Sequence, residues 1–127
     1  MSNRSIRVGA VQMQILRVLW DKGRATAREI TDVMKERAPI AHSTVQTLLR
    51  QLEAKGAVGH DVEGRTFFFR PLVSAEEVQR SAAHEVVSRA FDGSAFGLVA
   101  HLVKNEPISH DELARIRKLI DDAEGAG

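Results

Sequence analysis

From His42 to Gln51 the chain reads HSTVQTLLRQ. Val45, Leu48, Leu49 and Leu52 fall at i, i+3, i+4 and i+7, the spacing that lines apolar side chains along one stripe of a helix. With that stripe turned inward, the opposite side carries Ser43, Thr47 and Arg50, flanked by Thr44, Gln46 and Gln51. Hydroxyls, amides and a guanidinium are the groups that hydrogen-bond to base edges and phosphate oxygens of a duplex. A helix face that is merely wet more often carries Glu and Lys. Here the nearest acid, Glu53, sits to the side and a turn later.

A second set of residues lies at 64–71, GRTFFFRP, where three of the chain's five phenylalanines stand between two arginines. A strand sends alternate side chains to opposite faces, so three consecutive rings put apolar bulk on both. Phe67 and Phe69 are expected to anchor a hairpin to helices, and Phe68 to cover its thin outer face. Arg65 at the hairpin tip would then reach a phosphate or the minor groove, while Arg70 reads as a solvated flank. Thr26 and Arg28, where the preceding helix starts, and Arg4 and Arg7 in the N-terminal arm, are further candidates for backbone phosphates. Each phosphate so neutralised releases counterions, and binding of this kind weakens steeply with salt.

Other chemistries find little support. The chain has no cysteine, which excludes disulfides, zinc-thiolate sites and thiol catalysis. Its histidines, His42, His60, His84, His101 and His110, show no i, i+4 spacing and no accompanying acidic cluster, so neither a metal site nor a cofactor is expected. His84 and His101 are candidates for interface groups that titrate near neutral pH. Gly-x-Ser-x-Gly, P-loop and Gly-x-Gly-x-x-Gly patterns are absent, so no catalytic residue is assigned and the chain is not read as an enzyme.

The elements that must position these residues are legible from period and punctuation. Val11, Ile15, Val18 and Leu19 mark a first helix over 9–22, closed by Gly23. Thr26 and Glu29 form a capping box that opens a second over 27–37, stopped before Pro39. The third helix has its N-cap at Ala41 or Ser43 and ends at Gly56. Two β-prone runs around Glu63-Gly64 read as a hairpin. A two-residue loop there pairs Val62 with Arg65, His60 with Phe67 and Val58 with Phe69, and sets Gly59 opposite Phe68; a three-residue loop would change the pairing. Helices are then expected over 75–91, 95–105 and 110–123, with boxes at Ser74–Glu77 and Ser109–Glu112 and a frayed acidic end.

Charge divides the 127 residues unevenly. Residues 1–72 hold 12 Lys and Arg against 7 Asp and Glu, a balance of +5, and residues 73–127 hold 6 against 10, a balance of −4. Two parts follow: 1–72, a basic winged helix-turn-helix of three helices and a hairpin wing, and 73–127, a helical region. The fold class is mainly α. The second part is too short to close a core alone, and its second helix, apolar nearly all round, is expected to be buried. A homodimer built on Val86, Ala90, Phe91, Phe96, Val99, Leu102, Val103, Ile116, Leu119 and Ile120 would bury it. No apolar run approaches the roughly 18 residues of a membrane span, so a cytoplasmic chain without membrane insertion is expected.

The segment LRVLWDKGRATAREITDVMKER, with AHSTVQTLLRQLEAKGAVGHDVEGRTFFFRPLVSAEEV after it, resembles the BlaI/MecI family of penicillinase repressors. The resemblance runs from about Gly9 to Ile120 and includes FDGSAFGLVAHLV and ISHDEL. It implies a dimeric repressor on palindromic double-stranded operator DNA, with the third helix in the major groove and the C-terminal helices dimerising. Carried over by position, its helix contacts fall on Ser43, Thr44, Gln46 and Thr47, with Arg50 toward the backbone. A membrane sensor protease or a co-regulator is the further partner it implies. Two departures bear on the inducing signal. The family's β-lactam-responsive members are cut at an Asn-Phe bond where this chain has His101-Leu102, and the cysteine motif of its copper-responsive members has no counterpart here. From the residues alone two other readings stay open: a winged-helix protein–protein adaptor that does not bind DNA, and a ligand-sensing regulator with a small-molecule pocket.

Overall fold

Along residues 6–126, the part of the chain that the structure, a computed structural model, describes, six helices and one hairpin follow in order. They are α1 (Ala10–Lys22), α2 (Ala27–Lys35), α3 (His42–Ala54), β1 (Val58–Glu63), β2 (Thr66–Pro71), α4 (Ala75–Ala90), α5 (Ala95–Asn105) and α6 (His110–Ala126). Arg4 lies outside the described residues. This is the mainly α architecture, with a winged helix-turn-helix first, that the sequence implies. Among the described residues no single helix is long and apolar enough to cross a membrane.

The apolar stripes of α1, α2 and α3 meet. Ile15, Leu16, Leu19, Ile30, Val45, Leu49 and Leu52 are fully buried against one another. Burying each such side chain is worth roughly 1.5–3 kcal/mol, so this cluster is the main source of cohesion. α2 stops at Lys35, two residues short of Arg37. There the Glu36 and Arg37 amides donate three residues back, to the Val33 and Met34 carbonyls, which tightens the turn ahead of Pro39. α3 ends in a Schellman turn. Gly56, at φ +80°, donates to the Glu53 carbonyl and Ala57 donates to that of Leu52.

The hairpin register differs from expectation by two residues. Its loop is Gly64-Arg65, so Glu63 faces Thr66, Val62 faces Phe67, Asp61 faces Phe68 and His60 faces Phe69. Gly64 explains the shift, because a two-residue loop whose first position has positive φ needs glycine there, and it lies at φ +66°. A shift of two leaves every side chain on its expected face, so Val58, His60, Phe67 and Phe69 still share one. The partners change, however. Gly59 lies opposite Arg70 and is covered by Leu72, whose Cδ1 lies 3.3 Å from where a Cβ would stand; Phe68 does not cover it. Phe69 does anchor the hairpin: it packs on the core, and its backbone N–H and C=O both bond Ala25, at 2.8 and 2.9 Å. Phe67 does not anchor; it is 48% exposed and stacks on His60 instead.

The chain divides into two compact units, one ending at Glu85 and one beginning at Val86. That boundary falls inside α4, beyond the change of charge at 72/73. Residues 75–85 of α4 join the first unit because Val78 is buried in its core and the Ile6 N–H donates to Ser81 Oγ at 2.9 Å. In the second unit the chain turns at Asp92-Gly93, and Ser94 Oγ caps α5 by accepting from the Gly97 N–H. α6 continues past residue 123 to Ala126, with a Lys118–Asp122 ion pair along its surface.

Candidate functional site

On α3 the burial pattern separates two faces. Val45, Leu49 and Leu52 are fully buried, whereas Ser43, Thr44, Gln46, Thr47 and Arg50 are all exposed. The N-cap is Ala41, so the Ser43 hydroxyl is not used as a cap. Arg50 Nη2 donates to Thr47 Oγ1 at 3.2 Å, which holds these two side chains side by side on the outer face.

The helix is pinned to α2 by a contact that periodicity does not show. Thr31 is fully buried, and its hydroxyl donates to the Ala27 carbonyl at 2.7 Å. That hydroxyl has a single hydrogen, so at 3.0 Å from His42 Nδ1 its oxygen accepts, and Nδ1 carries the proton. The first residue of α3 is thereby tied to the middle of α2. Gln12 plays a matching part at the other end. It is buried, its Nε2 donates to Gln51 Oε1 at 2.9 Å, and its Oε1 accepts from the Gly9 N–H and Lys55 Nζ.

Between α3, the start of α2 and the hairpin lies an open groove of about 860 Å³. Of the expected site residues it gathers Thr26, Arg28, Gln46, Arg50 and Arg65. Ser43, Thr44 and Thr47 stand on the exposed side of α3 outside it. Thr26 Oγ1 accepts from the Glu29 N–H while Glu29 accepts from the Thr26 N–H, so the cap fixes the hydroxyl and leaves its hydrogen free to donate. Arg7 is not brought to the groove: its guanidinium pairs with Glu85 of α4.

The electrostatics of the groove favour an anion. Its one acid, Glu53, is engaged by His60 Nδ1 at 2.8 Å, and His60 in turn stacks on Phe67 with ring centroids 4.5 Å apart. Among the described residues Arg28 and Arg65 have no carboxylate partner, whereas the arginines on the hairpin's other face do: Arg24 pairs with Glu63 and Arg70 with Asp61. Arg70 is thus exposed, as a solvated flank would be, and also paired. The bond from Arg24 holds the Glu63 carboxyl below its ordinary value and lifts Arg24 above its own.

In the second unit, the expected burial of α5 is not found within one chain. Neither α5 nor α6 holds a buried residue among those described. Phe96 is 81% exposed and Leu119 69%, and Val86, Ala90, Val99, Leu102, Val103 and Ile120 are exposed too. Phe91 and Ile116 are partly covered, Phe91 by the His101 ring at 5.8 Å.

Residues 8–122 match the family model described as Penicillinase repressor. The chain is similar to the penicillinase repressor of Bacillus licheniformis, 21% identical over 91% of both chains. It is similar to the methicillin resistance regulatory protein MecI of Mammaliicoccus sciuri, 21% identical over 95% of this chain and 98% of that one. Among solved structures it resembles Bacillus licheniformis BlaI in complex with the blaP half-operator, at TM-score 0.51 and 23% identity over 57% of this chain and 89% of that one.

Proposed function

The chain belongs to the penicillinase repressor family, and on that premise we propose that it is a homodimeric, sequence-specific DNA-binding repressor of transcription that acts on a palindromic operator. One observation carries the reading: the exposed hydroxyl, amide and guanidinium face of α3 borders a groove in which, among the described residues, Arg28 and Arg65 stand without carboxylate partners. α3 enters the major groove, where Ser43, Thr44, Gln46 and Thr47 meet base edges. Arg50, Thr26, Arg28 and Arg65 meet the sugar-phosphate backbone that the concave surface receives. The resemblance to a half-operator complex supports the fold of this head. The protein binds rather than catalyses, and it works in the cytoplasm.

The uncovered apolar face of α5 and α6 supports a second copy as its cover. A two-fold pair would set the two copies of α3 on successive major-groove faces, on the order of 34 Å apart. A sensor protease or a co-regulator then lifts repression.

Gel-shift titration against the chain's own upstream region, at several salt concentrations, tests this. A specific complex is expected, with affinity falling steeply as salt rises. Thr47→Ala with Arg50→Ala should weaken it by about 10²-fold, the scale of lost base and phosphate contacts. Absence of any DNA affinity at low salt sinks the proposal and leaves the protein–protein adaptor standing.

A further inference from the structure

Arg24 lies in the turn between α1 and α2, outside the groove. Its guanidinium sits 4.1 Å from the centroid of the Phe68 ring and donates to both Glu63 carboxylate oxygens, at 2.7 and 3.3 Å. Glu63 is the last residue of β1 and adjoins the Gly64-Arg65 loop. The next residue, Ala25, holds Phe69 of β2 by two backbone bonds. One short turn therefore grips the body of the hairpin through Phe68 and Phe69 and its tip through Glu63. On the groove side, Glu53 of α3 holds His60, and His60 carries Phe67.

A lone two-stranded ribbon is marginal in water. Left untethered, its tip would sample many positions, and ordering it on DNA would cost affinity. We propose that Arg24 is a positioning residue: the Arg24–Phe68–Glu63 clamp sets the place of Arg65, so that the wing meets DNA as a fixed part of the reading head. This rests on the reading that Arg65 contacts the operator. The clamp also accounts for the middle phenylalanine of the FFF run, whose ring serves as the seat of a cation.

A double-mutant cycle on the full chain tests it. Operator affinity is measured for the natural protein, Arg24→Ala, Arg65→Ala and the double variant at one salt concentration. Arg24→Ala alone should weaken binding about tenfold, and by less than about twofold once Arg65 is gone, because coupled residues are non-additive. An equal loss in both backgrounds would mean that Arg24 touches DNA itself, and overturns the proposal. Glu63→Ala adds a test of sign. Removing an acid beside a polyanion should strengthen binding by simple electrostatics, whereas loss of the clamp weakens it; unchanged or tighter binding overturns the proposal.

A readout without DNA separates this from the wider reading. The chain has no native cysteine, so spin labels at Thr66→Cys and Thr44→Cys report the separation of wing and α3 uniquely. The distance distribution should broaden in Arg24→Ala, and an unchanged distribution overturns the clamp. If the natural protein binds no DNA, the proposed function falls, and this distance measurement still decides the clamp.

Discussion

The two units treat apolar side chains in opposite ways. In the first, Ile15, Leu19, Ile30 and Leu49 are sealed from water by elements of the same chain. In the second, Phe96, Val103, Leu119 and Ile120 have comparable apolar bulk and remain 48–81% exposed. Helices in both begin on a capped turn, since the Ser94 and Ser109 hydroxyls each accept an N–H as Thr26 does, although of the three only Thr26 has the return bond of a full box. The difference lies one level up, in packing. The first unit finishes its core within one chain, whereas the second leaves large apolar side chains of α5 and α6 exposed, the kind of surface a partner covers.

The strongest test of that contrast is a charge placed on the uncovered face. Leu102→Asp, or Val99→Asp, should separate the proposed dimer or unfold the second unit, and abolish operator binding. An unpaired buried charge costs about 3–5 kcal/mol, at least about a hundredfold in association. Sedimentation and gel shift read it, and a variant that stays a compact operator binder would place the interface elsewhere. The matching change in the first unit is Leu49→Ala, which should cost about 2–5 kcal/mol through cavity formation. The two are told apart by mass action. Melting of a self-contained core does not depend on protein concentration, whereas melting of a unit completed by its partner does. A Leu49→Ala defect that deepens on dilution would erase the contrast.

A smaller effect sharpens the same comparison from the polar side. Among the described residues no buried side-chain nitrogen or oxygen is without a hydrogen bond, so the first unit is closed in this respect too. Thr31→Val keeps the shape and removes the hydroxyl that accepts from His42. It should cost about 1–2 kcal/mol in urea unfolding. Operator affinity should fall with it, because the N-terminus of α3 loses its tie to α2.

What the sequence revealed follows the same division. Elements announced by period and capping, such as the Thr26–Glu29 box and the leucine stripe of α3, are where the pattern puts them, and so is the exposed face that the stripe implies. Positions decided by a single partner were not legible. Val11 fits the stripe of α1, yet it is 40% exposed, and its polar neighbour Gln12 is buried because Gln51 and Lys55 satisfy its amide. The hairpin loop turned on which glycine-containing pair would take positive φ, a choice that Glu63-Gly64 and Gly64-Arg65 both allow until the strands are paired. Arg7 has the charge for a phosphate and is used on Glu85. Charge suggested a boundary at 72/73, but packing carries residues 75–85 of α4 into the first unit, because Val78 is one apolar residue that core can cover.

The smallest predicted effect concerns the wing, whose tip is held at the surface. Bonding to Arg24 lowers the Glu63 carboxyl below its ordinary value of 4.5. A carboxyl depressed in the folded state adds stability that is fully present above the unfolded value and is lost as pH falls through the folded one. The clamp should therefore be intact from pH 8 down to the ordinary carboxylate range and should loosen only below it. Both partners are exposed, so salt should weaken the contact at any pH. Spin-label distances between Thr66→Cys and Thr44→Cys should hold constant across the neutral range and broaden only under acid, sooner when salt is high. Broadening near neutrality would show that Glu63 is not what holds the tip. The wing would then belong with the second unit, among the surfaces that a partner, here DNA, must complete.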